Sequence, residues 1–324
     1  MPLNHQLITA DARSKLELEP VHLVVTSPPY PMIAMWDEPF SSMDPAVGRA
    51  LAEERGMDAW RLMHGALDDV WRRCFEALVD GGIACINIGD ATRSLGGEFA
   101  RYPNAARVTS GMIEAGFTPL PDIIWRKPTN APNKFMGSGM LPAGAYVTYE
   151  HEYILIFRKG GKRTFKSQEQ RELRRKSAFF WEERNRWFSD IWSDISGTLQ
   201  LMEGGGARER SAAFPMEIPT RLVLMYSLKG ERVLDPFAGT GTTLAAAAAT
   251  GREGVGIEVE PGLREAVERS LEAAPTYGER LRARRLREHK DFVEQREAAK
   301  GPLKHFNEGL GVPVVTGQEV LLEL

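Results

Sequence analysis

The residues of this chain best suited to chemistry are Ser27-Pro28-Pro29-Tyr30. They follow Leu23-Val24-Val25, an apolar run that reads as a buried strand. Two prolines remove two backbone donors and stiffen the chain as it leaves that strand. The product is a rigid corner with a hydroxyl on one side and an aromatic ring on the other. Such a corner holds a flat ligand by its edge and its face at once. Taken alone, the tetrapeptide fits a Pro-Pro turn closing a strand equally well.

A second segment lies about two hundred residues later. Glu231 to Thr243 runs from a strand, Arg232-Val233-Leu234-Asp235, through Pro236-Phe237-Ala238-Gly239-Thr240-Gly241 into a helix beginning near Leu244. Gly254-Val255-Gly256-Ile257-Glu258 follows as a second short strand ending in an acid. Glycines let backbone approach a ligand closely, and an acid at that strand end accepts hydrogen bonds from two ribose hydroxyls. Three ligand classes use glycine loops. A phosphate-binding P-loop needs a lysine where Gly241 precedes Thr242. A dinucleotide loop needs a small residue where Leu244 stands, a side chain that would crowd helix against strand. A nucleoside without a pyrophosphate remains, of which S-adenosylmethionine is an example.

Together these segments make the chain similar to the DNA amino-methyltransferases of permuted order, in which the catalytic motif precedes the cofactor motif. Ser27-Pro28-Pro29-Tyr30 resembles that family's catalytic motif, and Asp235 to Gly241 its cofactor loop. Ile8-Thr9-Ala10-Asp11 resembles the acidic turn that meets the cofactor adenine, with Ala10 where the family often has glycine. Ile123 to Pro128 and His151 to Phe157 resemble two later strands, and Phe214-Pro215-Met216-Glu217-Ile218-Pro219 the segment packed on the methionine end. The resemblance implies an α/β fold: a Rossmann-like, mostly parallel twisted sheet with helices on both faces, plus an inserted target-recognition region. It implies S-adenosylmethionine as cofactor and double-stranded DNA as partner, in the cytoplasm of a prokaryote and close to the nucleoid. It leaves room for a companion restriction endonuclease and for a homodimer.

By the same resemblance Ser27 and the carbonyl of Pro28 accept the amine hydrogens of a flipped base, and Tyr30 stacks on it. Asp11 meets the adenine amine and Glu258 the ribose. Phe237, Gly239, Gly241 and Thr242 line the cofactor, Phe214 and Pro215 pack on its methionine end, and Asp235 positions the loop or meets the ammonium. Serine at the first motif position goes in the family with N4 of cytosine, and aspartate there with N6 of adenine, so the resemblance implies N4 of cytosine here, with N6 of adenine as the alternative. A carbon-5 enzyme needs a nucleophilic cysteine. Cys74 falls in an amphipathic helix and Cys85 in an apolar strand, which suits neither for that role. A catalytically silent DNA-binding subunit, or a methyltransferase for RNA or protein glutamine, shares enough of these features to count as a rival.

The elements that must position these residues can be outlined. Hydrophobic content of 43% and charged content of 26% describe a globular protein. No apolar run approaches the ~20 residues of a membrane span, and no basic-then-apolar leader opens the chain. Six scattered histidines and two cysteines show no metal spacing. The net charge is −3, but basic residues concentrate in one stretch that includes Lys162, Arg163, Lys166, Arg174, Arg175 and Lys176, interleaved with Phe179, Phe180, Trp181 and Trp187. This stretch is expected to meet DNA phosphates.

Residues 1–157 read as the catalytic half of the core. A helix spans Asp58–Leu78, Gly81-Gly82 ends it, a strand runs Ile83–Ile88 and a helix runs Asn104–Ala115. Strands at Ile123–Trp125 and Glu152–Phe157 are expected to be adjacent, with a Gly/Pro/Asn-rich loop from Pro128 to Gly144 between them. Residues 158–212 read as the inserted DNA-reading region, ending at a joint of Gly204-Gly205-Gly206. Residues 213–275 form the cofactor half, with a helix beyond Pro261 packing through Leu263, Val267 and Leu271. Residues 276–324 form a charged extension, in which Glu279–Lys300 is an exposed helix or a partner surface and Val312–Leu324 holds a short strand.

Overall fold

The computed structural model describes residues 3–127, 136–196 and 214–324. The Gly204-Gly205-Gly206 joint and the first part of the Pro128 loop lie outside the described residues. In chain order the elements are β1 (Gln6–Thr9), β2 (Val21–Thr26), α1 (Asp37–Met43), α2 (Pro45–Ala52), α3 (Gly56–Ala77), β3 (Leu78–Ile88), β4 (Ala91–Leu95), β5 (Glu98–Tyr102) and α4 (Asn104–Glu114). Then come β6 (Thr118–Pro119), β7 (Ile123–Arg126), β8 (Met136–Gly137), β9 (Ala145–Tyr146), β10 (His151–Arg158), α5 (Gln168–Lys176), α6 (Trp181–Trp187) and β11 (Ile191–Trp192). The last part holds α7 (Glu217–Tyr226), β12 (Arg232–Asp235), α8 (Thr242–Ala249), β13 (Glu253–Glu258), α9 (Arg264–Lys300), β14 (His305–Asn307) and β15 (Val312–Val314).

One sheet organises the molecule, in the order β1-β13-β12-β2-β3-β10-β7-β11, with β6 also paired to β10. Every pair from β1 through β3 is parallel. Strand β10 runs antiparallel to both β3 and β7, and β11 is again parallel to β7. This is the Rossmann-like sheet that the motif order implies.

The apolar run at β2 is continuous because both faces of that strand are covered. Val24 points into a core with Met63, Leu67, Val70 and Trp71 of α3 and Val108 and Met112 of α4. Leu23 and Val25 point the other way, into a core with Ile218 and Leu222 of α7. On the cofactor side the crowding expected of Leu244 is relieved by the strand it faces. A Cβ on Gly256 would lie 2.9 Å from Leu244 Cδ1 and 2.8 Å from Ala238 Cβ, and one on Gly254 would lie 3.0 Å from Leu244 Cα. Strand β13 thus supplies the small residues that the helix lacks.

Three stretches differ from the sequence reading. Glu279–Lys300 is neither fully exposed nor a free partner surface, because it continues α9, 37 residues long from Arg264. Val267, Ala274, Gly278, Leu281, Arg285, His289 and Val293 form one buried stripe along it. That stripe packs on the supposed insert: Arg285 pairs with Glu183 of α6 in a fully buried ion pair, and His289 stacks on Phe180 at 3.8 Å. The insert itself contributes β11 to the sheet, where Trp192 joins the core that holds Leu23 and Val25. Finally, β4 and β5 form a hairpin that the reading left out.

Candidate active site

Strands β12 and β2 are neighbours, yet their chains leave in opposite directions. β12 leads through α8 to β13, and β2 leads through α3 to β3. Open α/β sheets bind ligands in the crevice at such a reversal, outside the carboxyl ends of the strands. Both motifs lie there. Thr26, last residue of β2, donates a 2.6 Å hydrogen bond to the Asp235 carboxylate that ends β12. Thr243, in the first turn of α8, donates to the Val25 carbonyl at 3.3 Å. The proline corner and the glycine turn, 209 residues apart between Thr26 and Asp235, are therefore stitched together.

The glycine turn is held from inside the protein. Asp235 accepts from the Phe237 amide at 3.0 Å. Burial pushes its pKa up to about 6, against the hydrogen bonds from Thr26 and Phe237. Gly241 has φ +83° and Gly239 has φ +52°, backbone that side chains rarely adopt. Glu258 accepts from Gly239 N at 2.8 Å and from Glu260 N at 2.9 Å, bracing the turn from the next strand. Ala10 N donates to the Glu258 carbonyl, which sets Asp11 beside this edge. The Asp11 carboxylate is held by Arg13 at 2.6 Å, and that hydrogen bond draws its pKa below the usual range. Phe214 and Pro215 are buried at the start of α7, and the Phe237 ring meets Trp71 edge-on at 6.3 Å. Thr242 opens α8, half-buried.

The residues present fit S-adenosylmethionine. A Cβ on Gly239 would meet nothing nearer than 3.9 Å, so space opens above the turn. Two carboxylates at its rim, Asp11 and Glu258, suit an adenine amine and ribose hydroxyls.

The proline corner is braced from behind by residues that sequence reasoning missed. Asn104 Nδ2 donates to the Pro31 carbonyl at 3.0 Å and to the Gly89 carbonyl at 3.1 Å. Its Oδ1 accepts from Trp60 Nε1 at 2.8 Å and faces His64 Nε2 at 3.1 Å. Burial drives the His64 pKa down to about 3, so the ring is neutral. Met32, just past the corner, is buried with φ +67°, a left-handed backbone that costs a non-glycine residue energy. Tyr30 Oη lies 2.8 Å from Glu152 Oε2, 2.8 Å from Asn87 Nδ2 and 3.2 Å from Ser27 Oγ. Asn87 also donates to Glu152 Oε2 at 2.7 Å, and Lys127 Nζ to Oε1 at 2.8 Å. Burial, and then the Glu152 charge, raise the Tyr30 pKa far above its ordinary value, so the phenol stays neutral. Pro28 and Pro29 are buried and Ser27 is half-buried.

The basic stretch lies elsewhere. Because β10 is antiparallel to β3, Arg158 pairs with Ile83 and the chain leaves at the amino-terminal edge of the sheet. There Arg163 pairs with Glu231, just before β12, and Lys162 sits close by, beside His22 and Asp80. Helix α5 leads to Ser177, whose hydroxyl accepts from Lys229 N at the same edge. Arg175 donates to the Gly317 carbonyl, Lys176 pairs with Glu323, and Arg174 lies over Phe165. Lys166 is exposed nearby. The structure does not bring these six residues to the proline corner. Among the described residues there is no cluster fit to hold a metal, and no helix is long and apolar enough to cross a membrane.

This sheet and this cleft define a methyltransferase that uses S-adenosylmethionine. Residues 21–269 match the model of the N6/N4 DNA methylase family, and the chain belongs to that family. It is 44% identical over 322 residues to the type II methyltransferase M.MthZI of Methanothermobacter thermautotrophicus, covering 98% of this chain and 89% of that one. It is 47% identical over 281 residues to the type II methyltransferase M.MjaI of Methanocaldococcus jannaschii, covering 83% and 91%. Its fold is similar to that of a DNA modification methylase of Thermus thermophilus, solved in complex with S-adenosyl-L-methionine, with a TM-score of 0.64, 35% identity and coverage of 84% and 95%. The chain is thus a DNA methyltransferase of the N4/N6 family.

Proposed function

We propose that this enzyme methylates the exocyclic N4 amine of a cytosine flipped out of double-stranded DNA. The observation that carries the reading is Ser27 at the corner beside the glycine turn, fixed there through the Thr26–Asp235 bond. That amine is a poor nucleophile because its lone pair is delocalised into the ring. Ser27 Oγ and the Pro28 carbonyl accept its two hydrogens and draw the lone pair back toward nitrogen. Tyr30 stacks on the base and fixes its plane. Asp11, Glu258, Phe214, Pro215, Phe237, Thr242 and the Gly239–Gly241 backbone hold S-adenosylmethionine, which when bound supplies a methyl group on a positively charged sulfur. Asp235 shapes the turn. Catalysis then rests on positioning, and extruding the base costs a few kcal/mol. DNA approaches the carboxyl edge of the sheet, where the corner opens, and not the edge that carries Lys162 and Arg163. A restriction endonuclease of the same sequence specificity would be its natural companion.

The test is transfer of labelled methyl groups from S-adenosylmethionine to duplex DNA of mixed sequence, followed by digestion and separation of nucleosides. N4-methylcytosine is the expected product. Label in N6-methyladenine alone rejects the assignment of the base, and a cofactor-bound protein that labels nothing points to a silent subunit.

A further inference from the structure

Glu152 belongs to none of the roles above, yet three donors converge on its carboxylate: Tyr30 Oη, Asn87 Nδ2 and Lys127 Nζ. These contacts fix the direction of every hydrogen in the group. Asn87 must turn its amide nitrogen toward Glu152, since an oxygen at 2.7 Å from a carboxylate would be repelled. The same nitrogen donates to Tyr30 Oη. Tyr30 has a single hydrogen, and it goes to Glu152. Ser27 therefore donates its own hydrogen to Tyr30 Oη, over a longer 3.2 Å that suits a site awaiting substrate. Its lone pairs are all that Ser27 has left to offer a base.

We propose that Ser27, Tyr30 and Glu152 form a relay that makes Ser27 an obligatory acceptor and carries away the proton that the methylated amine must lose. The inference rests on the amino-methyltransferase reading. As the new N–C bond forms, the S–C bond breaks and its electron pair stays on sulfur. The amine nitrogen is left with two hydrogens and a positive charge. One of those protons passes to Ser27 Oγ as the serine proton moves to Tyr30 Oη and the tyrosine proton to Glu152 Oε2. Glu152 becomes a neutral acid and then releases its proton to solvent. Lys127, beside Oε1, holds the carboxylate in place between turnovers.

Glu152→Gln and Tyr30→Phe test this by kcat, cofactor affinity and melting temperature, with nucleoside analysis of wild type alongside. Each variant is expected to lower kcat on the order of 10²-fold with cofactor affinity unchanged; Tyr30→Phe should keep its melting temperature, whereas Glu152→Gln, which loses the ion pair with Lys127, should melt lower. The double variant is expected to lose no more than either single one, because both break one relay. With isotope-labelled tyrosine, the NMR signal of the hydroxyl-bearing carbon of Tyr30 should follow a carboxylate titration in wild type and not in Glu152→Gln, a readout that needs no turnover. Unchanged kcat in either variant, or additive losses, overturns the relay. Should Glu152→Gln not fold, Tyr30→Phe decides alone, since it keeps the ring and removes the link. A wild type that labels no amine defeats the underlying reading instead.

Discussion

Asp235 is a carboxylate kept where its charge is unfavourable. With a folded pKa near 6, above its ordinary 3.8, the native state holds the proton more tightly than the unfolded chain. Its contribution to stability is fully present below about pH 4 and is lost as pH rises through 6. Two units correspond to about 3 kcal/mol. Asn fits the same place, with Oδ1 accepting from Thr26 and Phe237 and Nδ2 facing Thr243, which itself donates to Val25. Asp235→Asn is therefore expected to be as stable as wild type at pH 8 or more so, by up to about 3 kcal/mol, with the gap closing toward pH 4. Denaturant titrations at several pH values check this. S-adenosylmethionine is cationic, so calorimetry should show weaker cofactor binding in the same variant. Undiminished affinity would assign Asp235 to loop shape alone.

The sequence showed the front of the site and not its back. Ser27, Tyr30, Asp235 and Glu258 stand in short contiguous motifs whose local backbone carries a signature. Asn87, Asn104 and Glu152 meet them across 57, 73 and 122 residues. A polar residue within a strand or at a helix start looks the same whether it braces a corner or faces water. The pairing of His151 with Arg126 and of Tyr153 with Ile88 aims Glu152 at Tyr30, and no local pattern encodes that register. The one available signal was an acid next to His151 in a strand otherwise apolar.

At the scale of elements, helical periodicity located α3 and α4 within one or two residues of their observed ends, and the glycine-loop unit was found entire. The long helix α9 was misjudged because charge dominates its composition while its buried stripe advances only one residue in three or four. Two of those buried positions, Arg285 and His289, are themselves polar and pair with Glu183 and Glu182. The packing of α8 on β13 gives a prediction of its own. Gly256→Ala places a methyl group 2.8 Å from Ala238 and 2.9 Å from Leu244, inside contact distance on two sides. Overpacking of this kind costs about 1–3 kcal/mol, and here it pushes the glycine turn away from its strand. The variant should melt lower and bind S-adenosylmethionine more weakly. Adding Leu244→Ala makes room, so the double variant should recover part of both. No recovery would mean that the crowding lies elsewhere.

For the whole molecule, the distance in sequence between the two motifs costs nothing in geometry. Parallel pairing sets β12 beside β2 whichever is made first, and the reversal between them forms the cleft. Charge alone does not place the basic stretch: an antiparallel β10 sends it to the amino-terminal edge, where Arg163, Arg175 and Lys176 bond to the protein itself. Strand direction decided that, and composition carries no strand direction.

A crystal structure of the chain with S-adenosylmethionine tests the shared cleft most directly. The adenosine should lie along Asp11, Glu258 and the Gly239–Gly241 turn, with the sulfonium methyl directed at the gap between Ser27, Pro28 and Tyr30. A cofactor seated with its methyl group turned away from that corner, or bound outside the β12–β2 crevice, would contradict the account.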